Sequence, residues 1–221
     1  MRRKEEVKMR LGLKIDFHVH TCYSFDSSIT LKEVVSCAKK KGLDGVAITD
    51  HNTVKGALKL KTKDIIVIPG IEVSTSDGHL LGLNITKPIT KKLGIEETIE
   101  IIHDYGGIAI APHPFSFYKS PPSRNVSNYD AVEVMNASSI PFSFLTHLSR
   151  QFAKDLDLPQ TGGSDSHYAP EIGLAYTVVD SCSDVDEIVS TIKKGNVFAS
   201  GRGIPWKIRF ERMVLRFKQN F

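Results

Sequence analysis

Leu13-Lys14-Ile15-Asp16-Phe17-His18-Val19-His20 is a strand-length apolar run that ends in two histidines spaced two apart. Residues two apart on a strand point to the same face, so both imidazoles can reach one ion at about 2 Å. Thr30 and Glu33 then form a capping box that predicts a helix over Leu31–Lys41, closed by Gly42. Gly45–Asp50 reads as the next strand. Strand, helix and strand in that order make one unit of a parallel sheet, and this unit sets the reading of the rest.

Working outward, the alternation continues. Asn52–Lys63 is expected to be a short helix, and Ile65–Ser74 a strand interrupted at Pro69-Gly70. His79–Ile85 reads as an extra strand joined through the polar turn Ser76-Asp77-Gly78, a hairpin that departs from strict alternation. A helix over Ile95–Tyr105 is closed by Gly106-Gly107, and strands follow at Ile108–His113 and Ala131–Asn136. Then come a helix over Ile140–Leu156, a short strand running into a loop over Gln160–His167, a strand at Leu174–Val179 and a helix at Asp184–Lys194. Asn196–Gly201 reads as a last strand and Trp206–Phe221 as a basic amphipathic helix. Pro114–Asn128, rich in Pro, Ser and aromatics, is the longest stretch without regular pattern, and such loops often cover binding sites.

Five of the eight histidines fall at or just after the ends of these strands: His18, His20, His51, His113 and His167. Asp26, Asp50, Glu72 and Asp165 stand in the same relation to theirs. Loops at the C-terminal face of a β/α barrel converge, so the pattern predicts one metal site assembled from distant segments. Mixed imidazole and carboxylate ligands favour zinc, manganese or iron, with magnesium also compatible. Glu72, central in the order, is suited to bridge two ions about 3.5–4 Å apart. Asp50 either orients His51 or a ligand water, or caps the helix after it. His79 either faces the pocket or is structural, and His103 and His147 are read as having no role.

Composition sets the outer bounds. A chain of 221 residues, 41% hydrophobic and 24% charged, fits a single globular domain, and no stretch reaches the roughly 20 apolar residues of a membrane-spanning helix. The basic start, Met1 to Arg10, lacks the apolar region and cleavage site of a signal peptide. Three cysteines, Cys22, Cys37 and Cys182, show no C-x-x-C spacing, which argues against a disulfide framework and for a cytoplasmic setting. The net charge of +4 suits an anionic substrate without identifying one. The expected organisation is a basic extension over 1–12, a barrel over 13–203 and a C-terminal basic helix over 204–221 packing on it.

Read in order, Asp16-Phe-His18-Val-His20-Thr, Ala47-Ile-Thr49-Asp50-His51-Asn, Pro69-Gly70-Ile-Glu72-Val-Ser, Ala111-Pro-His113-Pro-Phe and Gly163-Ser-Asp165-Ser-His167 resemble the motifs of the polymerase-and-histidinol-phosphatase (PHP) family. The likeness runs from Leu13 to about Gly201. It implies an α/β fold, a distorted (β/α)7 TIM-like barrel in a single domain, with two or three divalent ions. By carry-over, His18, His20, Glu72 and Asp165 hold the first metal, Glu72 and His113 the second, and His51 and His167 the third. Asp26 stands where the family often has a third-metal histidine, and Asn136 is the counterpart of the remaining second-metal ligand.

The activity implied is hydrolysis of a small phosphomonoester (a nucleotide, a sugar phosphate or histidinol phosphate) by metal-activated water. Asp165 and His167 belong to the catalytic group, His167 or a bound water being the proton donor to the leaving oxygen. Arg124, Lys119 beside it and Arg202 are the expected phosphate holders, because guanidinium forks match phosphate oxygens. The alternatives are a 3′-to-5′ exonuclease on short nucleic acid, for which Trp206, Phe210 and Phe217 offer stacking surfaces if they do not pack on the barrel, an amidohydrolase, and a non-catalytic module. Nucleic acid is admitted as a partner but not favoured, and no membrane partner is expected.

Overall fold

A computed structural model describes residues 12–117, 121–122, 126, 128–180 and 183–219. Its strands are β1 (Leu13–Val19), β2 (Gly45–Ile48), β3 (Ile66–Thr75), β4 (Gly78–Leu83), β5 (Ile108–Ala111), β6 (Ala131–Asn136), β7 (Gln160–Gly163), β8 (Ala175–Val179) and β9 (Val197–Gly201). Its helices are α1 (Leu31–Lys40), α2 (Lys55–Lys59), α3 (Ile95–Asp104), α4 (Phe142–Asp155), α5 (Val185–Lys193) and α6 (Trp206–Gln219). None of the described helices is long and apolar enough to cross a membrane.

All nine strands join one sheet in the order β7-β6-β5-β4-β3-β2-β1-β8-β9. Strands β1, β2 and β3 pair in parallel, as do β5, β6 and β7. β4 is antiparallel to both β3 and β5, and β8 to both β1 and β9. Seven strands therefore share a direction, and β4 and β8 are inserted against it. The sheet curls until β7 returns to β1 and β8: Val19 bridges Ser166 in parallel, and the Thr177 hydroxyl both donates to the Gly162 carbonyl and accepts its N–H. The result is an α/β single domain built on a nearly closed barrel, with Ile15, Phe17, Ile68, Leu81 and Ile110 among the fully buried side chains.

The local signals act as expected. The Thr30 side chain accepts from Glu33 N, and the Glu33 side chain accepts from Thr30 N, so both halves of the capping box are made. Two expectations change. The helix foreseen over Asn52–Lys63 shrinks to the five residues of α2, because Asn52 pairs with β3 instead. Its N–H donates to the Glu72 carbonyl, and its side chain exchanges hydrogen bonds with Ser74. Pro69-Gly70 does not interrupt β3: Pro69 stays in register with Ile48 while its carbonyl accepts the Ile85 N–H on the β4 side, and Gly70 lets β4 approach so closely that a Cβ there would lie 2.8 Å from the Gly82 carbonyl oxygen.

Candidate metal centre

The C-terminal ends of β1, β2, β3, β5 and β7 deliver their polar residues to one cavity of about 370 Å3, lined by Asp26, His51, Glu72, His79, His113 and His167 among others. Glu72 is at its centre. Its Oε2 lies 3.5 Å from His18 Nε2, 3.2 Å from His20 Nε2 and 3.0 Å from His51 Nδ1. Its Oε1 lies 3.0 Å from His79 Nδ1 and 3.2 Å from His113 Nε2. Asp165 Oδ1 faces the same pair as Oε2, at 3.7 Å from His18 Nε2 and 3.5 Å from His20 Nε2. To one side, Asp26 Oδ2 lies 3.1 Å from His167 Nε2 and 3.6 Å from His51 Nε2.

The donor set fits divalent ions. Three groups of ligand atoms, His18/His20/Glu72, His20/His51/His167 and His51/Glu72/His79, each lie within 4.8 Å of one another. The Asp26 Oδ1 atom is buried and makes no hydrogen bond. The electrostatics agree. Burial alone would depress the His18 pKa, but Glu133 and Glu72 outweigh it and raise it to about 9. Burial would raise Glu72 and Asp26, yet His18 and His79 hold the first, and His167 and His51 the second, below the usual carboxylate range. Glu72 and Asp26 are thus held ionised by the histidines around them.

A second set of contacts fixes these rings. His18 Nδ1 meets Glu133 Oε1 at 2.9 Å, and Glu133 Oε2 accepts from His113 N and from the Asn136 amide. Ser24 Oγ lies 3.1 Å from His20 Nδ1, accepts from His51 N and donates to Asp50. Asp50 also accepts from Thr21 N and Oγ1, so it braces the loop after β1 through Thr21 and Ser24 and caps no helix. Asp16 ties β1 to the β7 side by accepting from Ser164 N and Gly173 N, and burial pushes its carboxyl up to about 6. His113 and Asp165 sit at φ 32° and 51°, the left-handed strain that functional positions often carry.

The structure brings together His18, His20, Asp26, His51, Glu72, His113, Asp165 and His167. Asn136 differs from expectation: its amide N–H groups donate to Glu133 and Asp165, and its Oδ1 accepts from Ser139, so it presents donors to the cluster. His79 stands beside Glu72 and His113 instead. Arg202 is exposed and lines no part of this cavity, its backbone N–H donating to the Leu174 carbonyl. Arg124 and Lys119 lie outside the described residues. Among the described residues, the cations that line the cavity are Arg212 and Arg216 of α6. His147 is exposed and His103 pairs with Asp130, both away from the site.

The comparisons with known proteins agree with this geometry. The PHP domain family model matches residues 16–169, and the PHP-associated model matches residues 147–197. An uncharacterized protein of Methanocaldococcus jannaschii is 40% identical over 141 residues, which cover 57% of this chain and 82% of that one. A 5′-3′ exoribonuclease of Haemophilus influenzae is 29% identical over 105 residues, 44% of this chain and 38% of its own length. A crystal structure from Bacteroides vulgatus, described as a two-domain protein containing a predicted PHP-like metal-dependent phosphoesterase, superposes with a TM-score of 0.68 at 18% identity. That match covers 86% of this chain and 65% of the other, so this chain spans less than two thirds of both the exoribonuclease and the two-domain protein. With the family's motif residues converging on one cavity and its model covering most of the sequence, the chain belongs to the PHP family.

Proposed function

We propose that this chain hydrolyses a small phosphomonoester, a nucleotide or a sugar phosphate, at the Glu72 cluster. The observation that carries the reading is the convergence of five imidazoles on one buried carboxylate, Glu72, with Asp165 facing two of the same imidazoles. His18, His20, Asp165 and Glu72 would hold a first divalent ion, Glu72, His113 and His79 a second, and Asp26, His51 and His167 a third. Ions there would supply a water of lowered pKa and neutralise the phosphate oxygens.

The chain's own residues do the positioning. Glu133 fixes the His18 ring and the backbone of His113, and Ser24 fixes His20, so the ligands are held before substrate arrives. Arg212 and Arg216, at the cavity wall, would hold phosphate oxygens in place of the exposed Arg202, a role foreseen also for Arg124, which lies outside the described residues. His167 has Nε2 against Asp26 and Nδ1 3.0 Å from the Asp165 carbonyl oxygen, so both ring nitrogens are engaged. It serves as a ligand, and the proton for the leaving oxygen comes from solvent.

One observation favours a second reading. On α6 the aromatics Trp206, Phe210 and Phe217 are 74%, 62% and 62% exposed and stand beside basic residues, a surface on which single-stranded bases stack. The distinguishing experiment offers the metal-loaded protein mononucleotides, sugar phosphates, histidinol phosphate and a short single-stranded oligonucleotide, with manganese, zinc or magnesium. Phosphate release from one monoester class supports the first reading. Shortening of the oligonucleotide alone replaces it with the nuclease reading, and no turnover of any of them removes both.

A further inference from the structure

Helix α6 lies beyond the segment matched by the family models, yet its inner face reaches three separate loops around the metal cavity. Arg209, Arg212 and Arg216 sit at spacings of three and four, on one side of the helix. Arg209 donates to the Ala137 and Ser138 carbonyls in the loop after β6. Arg212 Nη1 lies 3.0 Å from Oε1 and 3.1 Å from Oε2 of Glu171, a fully buried carboxylate in the loop after β7. Glu171 Oε2 in turn accepts the backbone N–H of His167 at 2.9 Å. Arg216 Nη2 donates to the Asp26 carbonyl at 2.7 Å, in the loop after β1.

One of these tethers ends on Asp26 and another reaches the backbone of His167 through Glu171, and the side chains of Asp26 and His167 face each other at 3.1 Å. The loops are also tied at their base by His20 N to the Ser166 carbonyl at 3.1 Å, and farther out by Ser28 N to the His167 carbonyl at 3.3 Å and Ser27 Oγ to the same oxygen at 3.5 Å. The first and second metal positions centre on His18 of β1 and Glu72 of β3, at 0% and 1% exposure, with His20, His113 and Asp165 just past their strand ends and His79 of β4 at 20%. The third rests on loop residues, with Asp26 at 26%. Loops with few buried contacts open at lower free energy than strand ends, so this side of the site depends on what holds it from outside.

We infer that α6 is a positioning strap for the third metal position. Arg212 and Arg216 hold the Asp26 and His167 loops at the separation a shared ion needs, so the C-terminal helix sets whether that ion stays bound. The inference rests on the three-ion reading above. It assigns the two arginines a task in the substrate-free protein, separate from any contact with phosphate.

The test is Mn2+ binding to the full-length, substrate-free protein, by calorimetry and by metal analysis after gel filtration. The wild type should hold three ions. The Arg212→Gln/Arg216→Gln double variant should keep two at wild-type affinity and bind the third at least about tenfold more weakly, in the range seen when outer partners of ligands are removed. Arg212→Lys, which preserves the charge on Glu171, should recover part of the loss, and Phe210→Ala, on the outward face of the same helix, should retain all three. Three ions bound to the double variant as tightly as to the wild type would overturn the strap, and so would loss of all three together. Fewer than three ions on the wild type would instead overturn the third position itself, and the inference with it.

Discussion

Glu72 has imidazoles against both of its oxygens, and the sequence rules that singled out most of them left one, His79, open between a pocket and a structural role. His18, His51, His113 and His167 end or follow strands that run toward the cavity, and the rule that barrel sites gather at C-terminal strand ends selects them directly. His79 begins a strand. Because β4 is antiparallel to β3, its first residues lie at the same end as the last residues of β3, and His79 pairs with Ser74. Replacing His79 by Ala should therefore remove the second ion, with an activity loss exceeding about 100-fold, whereas Asn136→Ala, which touches ligands without being one, should cost about 10–100-fold in metal affinity. Metal analysis of both variants checks the order. If Asn136→Ala strips the second ion and His79→Ala does not, the assignment reverses.

Titration of His18 belongs to the same scale. In the metal-free protein its folded-state value of about 9 exceeds the ordinary 6.5, so protonation favours the fold. That contribution is complete below pH 6.5 and is lost as pH rises through about 9. An ion must displace this proton, so apparent Mn2+ affinity should rise about tenfold per pH unit between roughly 7 and 9, with about one proton released. A flat affinity over that window would show that His18 is already neutral.

At the scale of elements, the site is made by how closely two strands approach. An added Cβ on Gly163 at the end of β7 would lie 2.5 Å from His18 Cβ and 2.7 Å from Glu133 Oε1, both fixed parts of the site. Gly163→Ala should thus push His18 away from the first ion and weaken Mn2+ binding by more than about 10-fold, the scale of a displaced outer partner. Circular dichroism should retain its helical signal. The glycine is plain in the sequence, but its reason is not, since β1 and β7 lie far apart along the chain. Helix α6 makes a similar point. Its aromatics and cations alternate at helical spacing, which left open whether the aromatics pack on the barrel, and the structure turns them away: Arg209, Arg212 and Arg216 bond inward beside the packed Ile208 while Trp206, Phe210 and Phe217 face outward. Hydrogen bonds to loop carbonyls and to Glu171 decided that orientation, and periodicity carries no sign for which stripe turns in.

For the whole molecule, the metal cluster is also a cost to the fold. Glu72, Glu133 and Asp165 are buried within a few ångströms of one another's partners, and ions bound only by the folded state should stabilise it by mass action. At about a hundredfold excess over Kd, one ion contributes about 2.7 kcal/mol, which for a chain of this length raises Tm by about 5–10 °C. Chelation followed by thermal melting should show at least that drop, reversed by added Mn2+. An unchanged Tm would mean that the cluster is stable without ions.

Several features were fixed by the sequence alone. The Thr30-Glu33 capping box, the strand-length apolar runs and the glycine stops are local, each set by groups a few residues apart, and they specified most elements to within one or two residues. The ordered histidine and carboxylate motifs, each tied to its own strand end, specified the site's principal members. Only the tertiary structure decided the turning of Asn136 toward Glu133 and Asp165, and the seating of α6 with its arginines over the loops of Asp26 and His167. Each of those is a contact between segments distant in the chain, settled by which pairings satisfy buried polar groups once the sheet has closed, and that choice has no local signature for a sequence to display.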